Sequence, residues 1–192
     1  GKGTPEGSSP VHVLIVGGND VHKRLELMEE LRPHFRLSAA GSDPGLRRVF
    51  SERGFDFHFF PLARGAAPVS DIRTVSSLVR LFRRVGPDIV HAFATKPAVW
   101  GRIAARRAGV PVVVGTVPGL GSLYSSSHWK PRLVRPVYES LQRWACHSSD
   151  ATIFQNRTDL EELVSSGVCP AEKASIIPSS GVRLDRFSRS DV

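Results

Sequence analysis

The sequence predicts an α/β protein with a doubly wound, mostly parallel Rossmann-like sheet and helices on both faces. Short apolar runs rich in β-branched residues alternate with helical patterns along the whole chain, and the connections between them are short. Strands buried on both faces of a parallel sheet give such continuous apolar runs, and their alternation with helices is typical of this fold class. The length of 192 residues suits one domain with a stable core.

The strands follow from the apolar runs and from the glycine, proline or polar residues that end them. The first run, Val11–Val16, stops at the pair Gly17-Gly18. The fourth, Asp88–Phe93, follows Gly86-Pro87 and is apolar except for Asp88 and His91. The remaining predicted strands are Phe35–Ala40, Phe55–Phe60, Pro111–Val117, Ala151–Gln155 and Lys173–Pro178.

Helical spacing of apolar residues predicts the helices between these strands. The clearest pattern repeats Ile72, Val75, Val79 and Phe82, which we expect to face the core while the neighbouring arginines stay in solvent. The other predicted helices are Asp20–Pro33, Pro44–Arg53, Pro97–Ala108 with Gly109 as its cap, Arg135–His147, and Arg157–Ser166 with Asn156 as its cap.

The fifth of these helices is expected to begin near Arg135, because Pro131 and Pro136 disfavour helix before it. Its apolar side is predicted to carry Val137, Leu141 and Trp144.

The composition limits the possible partners. The net charge of +8 favours anionic partners such as a diphosphate, a phospholipid surface or nucleic acid. The chain has none of the sequence motifs of the common nucleic-acid-binding folds, so we expect no nucleic acid partner.

Its two cysteines, Cys146 and Cys169, have no metal-ligand spacing and are expected to be buried thiols. No apolar run approaches the roughly 18 residues that span a bilayer.

Several polar or glycine-rich segments follow the predicted strands, where ligands bind in open α/β sheets. Gly17-Gly18 allows a ligand to approach the backbone, but the spacing of the dinucleotide-binding fingerprint is absent. His91 ends a strand, and Lys96 lies in the turn before the next helix, where it is well placed to hold a phosphate. Each feature also has a plain interpretation, as a tight turn, a structural histidine or a surface lysine.

An ordered series of short motifs gives the chain a resemblance to the amino-terminal domain of family 4 glycosyltransferases. The series resembles above all the bacterial members that extend sugars on polyprenyl diphosphate carriers, and it runs from about Val11 to Phe187. It consists of His91, Thr95-Lys96-Pro97, Gly101, Ala108-Gly109-Val110-Pro111, Gly119-Leu120-Gly121, Phe154-Gln155-Asn156, Asp159-Leu160 and Ile176–Val182, with Arg64-Gly65 and Asp71 upstream. Phe93 departs from the pattern, because many relatives carry a second histidine there.

The resemblance implies one half of a GT-B fold. The Gly-, Ser- and Pro-containing residues 1–10 are themselves expected to be a flexible leader. The resemblance implies an acceptor-binding domain over 11–187 and the start of a linker to a donor-binding domain over 188–192. It also implies transfer with retention of configuration, without a metal or another cofactor, the nucleotide sugar being a substrate. The implied catalytic residues are His91 and Lys96, and the implied substrate-binding residues are Gly17, Gly18, Arg64, Thr95, Gly119, Gly121 and Asn156.

The resulting prediction is the acceptor-binding domain of a retaining glycosyltransferase that moves a sugar from a nucleotide sugar to a lipid-linked saccharide in envelope polysaccharide or glycan synthesis. This places the protein in the cytoplasm, at the inner face of the plasma membrane. The segment Trp129–Arg143, with Trp129, Tyr138 and Trp144, is expected to rest on anionic headgroups, the alternative being core packing of its apolar side. Two other hypotheses stay open: a non-catalytic acceptor-binding subunit of a split transferase, and a basic nucleic-acid-binding α/β domain.

Overall fold

The computed structural model describes residues 9–63, 68–117, 119–120 and 129–178. Within them lies one seven-stranded sheet, in the order β3-β2-β1-β4-β5-β6-β7, in which every neighbouring pair is parallel. The strands are β1 (His12–Val16), β2 (Arg36–Gly41), β3 (Asp56–Phe59), β4 (Ile89–Ala92), β5 (Val112–Val117), β6 (Ala151–Phe154) and β7 (Ala174–Ile176). All seven predicted strands and the doubly wound sheet are confirmed.

Helices cover both faces of this sheet. A 3-10 turn (Val21–Arg24) precedes α1, and another (Ala171–Lys173) precedes β7. The helices are α1 (Leu25–Leu31), α2 (Leu46–Ser51), α3 (Pro68–Val85), α4 (Thr95–Ala108), α5 (Trp129–Ser148) and α6 (Arg157–Ser165). The predicted leader falls almost wholly outside the described residues, and the predicted linker start falls wholly outside them.

Alternate residues of the central strands enter two separate cores. Leu14 and Val16 of β1 pack with α3 and α4 on one face. Val13 and Ile15 of the same strand pack with α1 and α2 on the other. Because successive side chains of a strand point to opposite faces, this five-residue strand contributes to both cores and has no exposed position.

Two helical faces differ from the sequence prediction. Ile72 was expected to face the core, but its side chain is 68% exposed; Leu78 and Leu81 are buried instead, alongside Val75 and Phe82. At about 100° per residue, Ile72 lies too far round the helix from the direction set by Leu78. The buried face of α3 is therefore formed by residues after its first turn, and the start of the helix lies partly outside the core.

The helix α5 begins earlier than predicted, at Trp129 rather than near Arg135. Pro131 lies in the first turn, where a backbone N–H has no intrahelical partner to lose. Pro136 lies inside the helix, which continues past it. Its expected apolar side is confirmed only at Leu141, which packs against a buried cluster. Val137 and Trp144 are exposed, while Ala145 and Cys146 are fully buried.

A buried arginine joins α4 to the second half of the sheet. Arg102 is fully buried and donates to the Ala98 carbonyl at 2.7 Å and to Gln142 Oε1 at 2.7 Å. Its Nη1 also lies 3.4 Å from Thr152 Oγ1 and 3.6 Å from Cys146 Sγ. The guanidinium thus connects α4, α5 and β6 without a carboxylate among these partners.

Gly115 on β5 leaves the space that this arginine fills, and this generates a stability prediction. A Cβ atom at Gly115 would lie 2.4 Å from Arg102 Cδ and 2.7 Å from its Nε. Gly115→Ala should therefore destabilise the fold by about 1 to 3 kcal/mol through overpacking, measured by denaturant unfolding. Gly119→Ala is the control, because its Cβ would meet no atom of the described residues closer than 3.7 Å. Equal unfolding midpoints for the two variants would contradict the prediction.

Candidate functional site

A cleft opens at the carboxyl edge of the sheet, where the strand order reverses between β1 and β4. In open α/β sheets this reversal is where ligands bind. The cleft has a volume of about 540 Å³ and is formed by the segments that follow the first four strands. Its lining residues are Gly18, Asn19, Asp20, Ser42, Asp43, Pro44, Leu62, Ala63, Ala94, Lys96 and Pro97.

Lys96 projects into this cleft from the first turn of α4 and is held in place. Its Nζ lies 2.6 Å from Asp71 Oδ1 and donates to the Ala63 carbonyl at 2.9 Å. The side chains of Lys96 and Asp71 are only 24% and 13% exposed, so water screens their attraction weakly. The lysine therefore ties the start of α3 and the segment after β3 to the start of α4, and brings a fixed positive charge to the cleft.

The backbone that delivers Lys96 is strained. Ala94, which also lines the cleft, has φ 69° and ψ 178° at the residue before α4. Only glycine adopts this region readily, and another residue there costs on the order of 1 to 3 kcal/mol. The turn between β4 and α4 therefore holds a conformation that the surrounding packing has to maintain.

The two glycines after β1 have different structural roles. Gly17 is buried, its N–H donates to the Ala40 carbonyl at 3.0 Å, and a Cβ there would lie 2.8 Å from Val21 Cβ. Gly18 lines the cleft and its carbonyl accepts from Ser42 N–H at 3.3 Å. Gly17 thus permits the tight packing of the turn, while Gly18 forms part of the cleft wall.

His91 does not line this cleft. Its Nε2 hydrogen-bonds Thr116 Oγ1 at 2.8 Å, and its ring lies 4.1 Å from that of Phe93. The Arg24 guanidinium lies over the other aromatic ring, 4.7 Å from the Phe93 centroid. Burial, with a contribution from the Arg24 charge, lowers the pKa of His91 to about 4. The imidazole is therefore neutral at pH 7, and Phe93 shares a stack with it.

A second group of predicted site residues lies at the carboxyl ends of β5 and β6. Asn156 caps α6: its Oδ1 accepts from Asp159 N–H at 2.8 Å, and its Nδ2 donates to Asp159 Oδ2 at 2.8 Å. The same carboxylate accepts from Leu120 N–H at 3.1 Å, next to Gly119. The predicted cap is confirmed, and Asn156 and Gly119 are brought together away from the cleft lining.

The remaining predicted site residues lie outside the cleft lining or outside the described residues. Thr95 is the first residue of α4 and is exposed, outside the cleft lining. Arg64 and Gly121 lie outside the described residues. Of the predicted site residues that the structure describes, the cleft therefore brings together Gly18 and Lys96.

Comparison with known protein families decides the affiliation of the chain. Residues 19–179 match the model of the glycosyl transferase 4-like domain. The chain belongs to this family. The resemblance predicted from the sequence motifs is thereby confirmed.

Curated relatives of this glycosyl transferase 4-like chain act, by their names, on diphosphoundecaprenol-linked sugars. It is 31% identical over 170 residues to the UDP-Gal:alpha-D-GlcNAc-diphosphoundecaprenol alpha-1,3-galactosyltransferase of Escherichia coli, covering 86% of this chain and 43% of that protein. It is 30% identical over 110 residues to the N,N'-diacetylbacillosaminyl-diphospho-undecaprenol alpha-1,3-N-acetylgalactosaminyltransferase of Campylobacter jejuni, covering 57% and 29%. The chain thus spans less than half the length of these relatives.

Solved structures support the fold. MurG of Acinetobacter baumannii superposes with a TM-score of 0.59 at 14% identity, over 93% of this chain and 48% of that one. The UDP-N-acetylglucosamine 2-epimerase of Rickettsia bellii gives 0.63 at 18% identity, over 88% and 44%. Both are GT-B proteins, so this glycosyl transferase 4-like chain has the Rossmann-like fold of one GT-B half, as the sequence predicts.

Most of the cleft lining in this family member escaped prediction from the sequence. Asn19, Asp20, Ser42 and Asp43 contribute polar groups, yet none belongs to a motif that the sequence singles out. Their shared signal is position, since each lies within a few residues of the end of a buried strand. The strain at Ala94 has no sequence signal, because alanine is an ordinary residue in such a turn.

The positive φ of Ala94 predicts an unusual effect of glycine. Ala94→Gly should leave stability unchanged or raise it by up to about 1 kcal/mol, because glycine adopts this backbone without steric cost. Ala98→Gly, in the regular part of α4, should lower stability by about 1 kcal/mol or more. Denaturant unfolding of the two variants measures the difference. A loss for Ala94→Gly as large as that for Ala98→Gly would contradict the strain.

The lowered pKa of His91 predicts a loss of stability in acid. Since the unfolded chain takes up the proton near pH 6.5 and the folded chain only near pH 4, stability falls as the pH drops through this window. Between pH 7 and pH 4 the wild type should lose about 2 to 3 kcal/mol more than His91→Gln. Unfolding at both pH values tests this, with the exposed His34→Gln as control; equal losses for all three proteins would refute it.

Proposed function

We propose that this chain is the acceptor-binding domain of a retaining glycosyltransferase, which moves a sugar from a nucleotide sugar to a lipid-linked saccharide. The observation that carries the proposal is the cleft at the β1/β4 reversal, with Lys96 fixed at its edge, in a member of the glycosyl transferase 4-like family. The names of the curated relatives support a diphosphate-linked sugar as the acceptor.

The cleft offers the groups that such an acceptor needs. Lys96 supplies a compact positive charge for a diphosphate, and Asp71 and the Ala63 carbonyl fix its direction. The side chains of Asn19, Asp20, Ser42 and Asp43 can hydrogen-bond sugar hydroxyls, while Leu62, Ala63, Ala94 and Pro97 add apolar surface to the lining.

In this proposal the domain contributes positioning and charge. Holding the acceptor hydroxyl against the donor sugar removes most of the entropic barrier to reaction, and fixed charges stabilise the developing negative charge as the nucleoside diphosphate leaves. Asp71 acts as a positioning residue for Lys96. His91, being neutral, serves as a hydrogen-bonding group on the β4–β5 side and carries no charge to the diphosphate.

The location is part of the proposal. No helix of the described residues is long and apolar enough to cross a membrane. Since a lipid-linked acceptor is reached at a membrane surface, we place the protein at the cytoplasmic face of the plasma membrane, in peripheral contact with anionic lipid. The positive net charge of +8 supports this contact.

Binding of a short-chain prenyl diphosphate sugar tests the function. Removing the Lys96 charge should weaken binding of this acceptor by roughly 10- to 100-fold, as expected for a hydrogen bond to a charged group, and should barely change binding of the same sugar without phosphate. Isothermal titration calorimetry of wild type and Lys96→Met measures both.

Two further variants separate an effect at the cleft from the general effect of removing a lysine charge. Lys173→Met is the matched control, because Lys173 also donates to backbone carbonyls, those of His147 and Ser149, but lies outside the cleft lining. Lys96→Met/Asp71→Asn removes the carboxylate charge that the single variant leaves partly buried. Unchanged acceptor affinity in both folded Lys96 variants would remove the cleft from the proposed function.

A further inference from the structure

The most exposed large apolar side chains of the described residues lie together at the start of α3. Val69 is 67% exposed and Ile72 is 68% exposed. Apolar residues three positions apart on a helix are neighbours on its surface. An isolated exposed valine needs no explanation, but this pair occupies the first turn of a helix that begins beside the cleft.

The same face of α3 continues as a basic stripe. Arg73, Ser76, Arg80, Arg83 and Arg84 are exposed. At about 100° per residue, these residues share with Val69 and Ile72 an arc of about 120° around the helix axis. We call this surface, formed by Val69, Ile72, Arg73, Ser76, Arg80, Arg83 and Arg84, the outward face of α3.

Carboxylates do not balance this charge. Asp71 is the acidic residue of α3, and it points to the opposite side, where it pairs with Lys96. Within the part of the chain that the structure describes, neither Arg73 nor Arg80 takes part in an ion pair or a side-chain hydrogen bond. Their charges are available to an anionic partner.

We propose that the outward face of α3 docks on the surface of an anionic phospholipid bilayer. An apolar turn next to a row of arginines suits the headgroup region, where the apolar side chains reach the acyl boundary and the cations meet lipid phosphates. The inference deepens the proposed function: the Asp71–Lys96 pair joins the apolar end of this face to the cleft, so docking brings the cleft mouth to the bilayer.

This assignment differs from the prediction made for Trp129–Arg143. Tyr138 of that segment is buried, and its hydroxyl accepts from Gln142 Nε2 at 2.8 Å. On the same helix Arg135 pairs with Glu139 at 2.7 Å, and the Arg107 guanidinium lies 4.9 Å over the ring of the partly exposed Trp144. Of the α5 side chains that the structure describes, Arg135, Tyr138 and Trp144 are thus engaged within the protein. On α3, by contrast, Arg73, Arg80 and the apolar pair Val69 and Ile72 face solvent.

Co-sedimentation of the 192-residue chain with phosphatidylglycerol–phosphatidylcholine vesicles tests the proposal. The wild type should bind these vesicles and not pure phosphatidylcholine. Arg73→Gln/Arg80→Gln should bind about 30-fold more weakly, at about fivefold for each arginine near a charged surface. Val69→Ser/Ile72→Ser should weaken binding as well, and that loss should persist at high salt, because it reflects apolar insertion.

Matched variants separate this face from net charge and from α5. Arg47→Gln/Arg48→Gln removes the same charge from exposed positions of α2, on the other face of the sheet, and should change binding little. Val137→Ser on α5, where the side chain is 61% exposed, should also leave binding unchanged. If the α2 or α5 variants lose as much binding as the α3 variants, the assignment to α3 is wrong.

Two more outcomes would overturn the proposal. One is equal binding of the wild type to neutral and anionic vesicles. The other is tight binding of mixed-sequence RNA that depends on Arg73 and Arg80 but not on Val69 and Ile72, which would make the face a polyanion site. Calorimetry with the soluble short-chain acceptor reports on the cleft independently. A wild type that binds this acceptor but does not bind anionic vesicles would therefore reject the docking surface and leave the proposed function standing.

Discussion

The parallel pairing of β1 with β4 is the constraint on which the rest of the structure depends. The chain first winds outward through β2 and β3, then returns across the sheet to place β4 on the free side of β1, with Val16 opposite Ala92. The connections after β1 and β4 consequently diverge, toward α1 on one face and toward α4 on the other. The space between them is the cleft, so the site is a product of the winding order.

The cleft is maintained by opposing contributions. Ala94 holds an unfavourable backbone conformation, while the ion pair of Lys96 with Asp71 and the bond to the Ala63 carbonyl hold the same turn against the neighbouring segments. A partly buried charge pair costs desolvation and repays it only with good geometry. This is the pattern expected where a residue is positioned for a ligand rather than for maximal stability.

The seven strands and their approximate boundaries were predictable because a parallel sheet buries both faces and leaves an unmistakable apolar run in the sequence. Lys96 and Gly18 were predictable as cleft residues because they directly follow such runs. Helix faces were harder. Ile72 fits an apolar repeat at helical spacing, and only the tertiary packing of Leu78 and Leu81 shows that it points outward. Likewise Pro131 and Pro136 are poor helix formers in isolation, but the packing of Ala145 and Cys146 supports the helix that contains them.

That His91 and Lys96 lie in different environments could not be predicted from the sequence, for a different reason. The two residues are neighbours in one motif, but the strand ends between them and Lys96 enters a helix on the other face of the sheet. The predicted pair therefore belongs to two environments, one facing the cleft and one stacked with Phe93.

The burial of Arg102 against later parts of the chain has a consequence for the order in which the chain assembles. Its guanidinium keeps its charge in any protein environment, and its partners Gln142 and Thr152 follow it by 40 and 50 residues. A nascent chain that has emerged only through β5 has to keep this cation hydrated at the surface that α5 will later cover. The first half can thus pair its strands during synthesis, but its helix layer closes only when the second half arrives to replace that water.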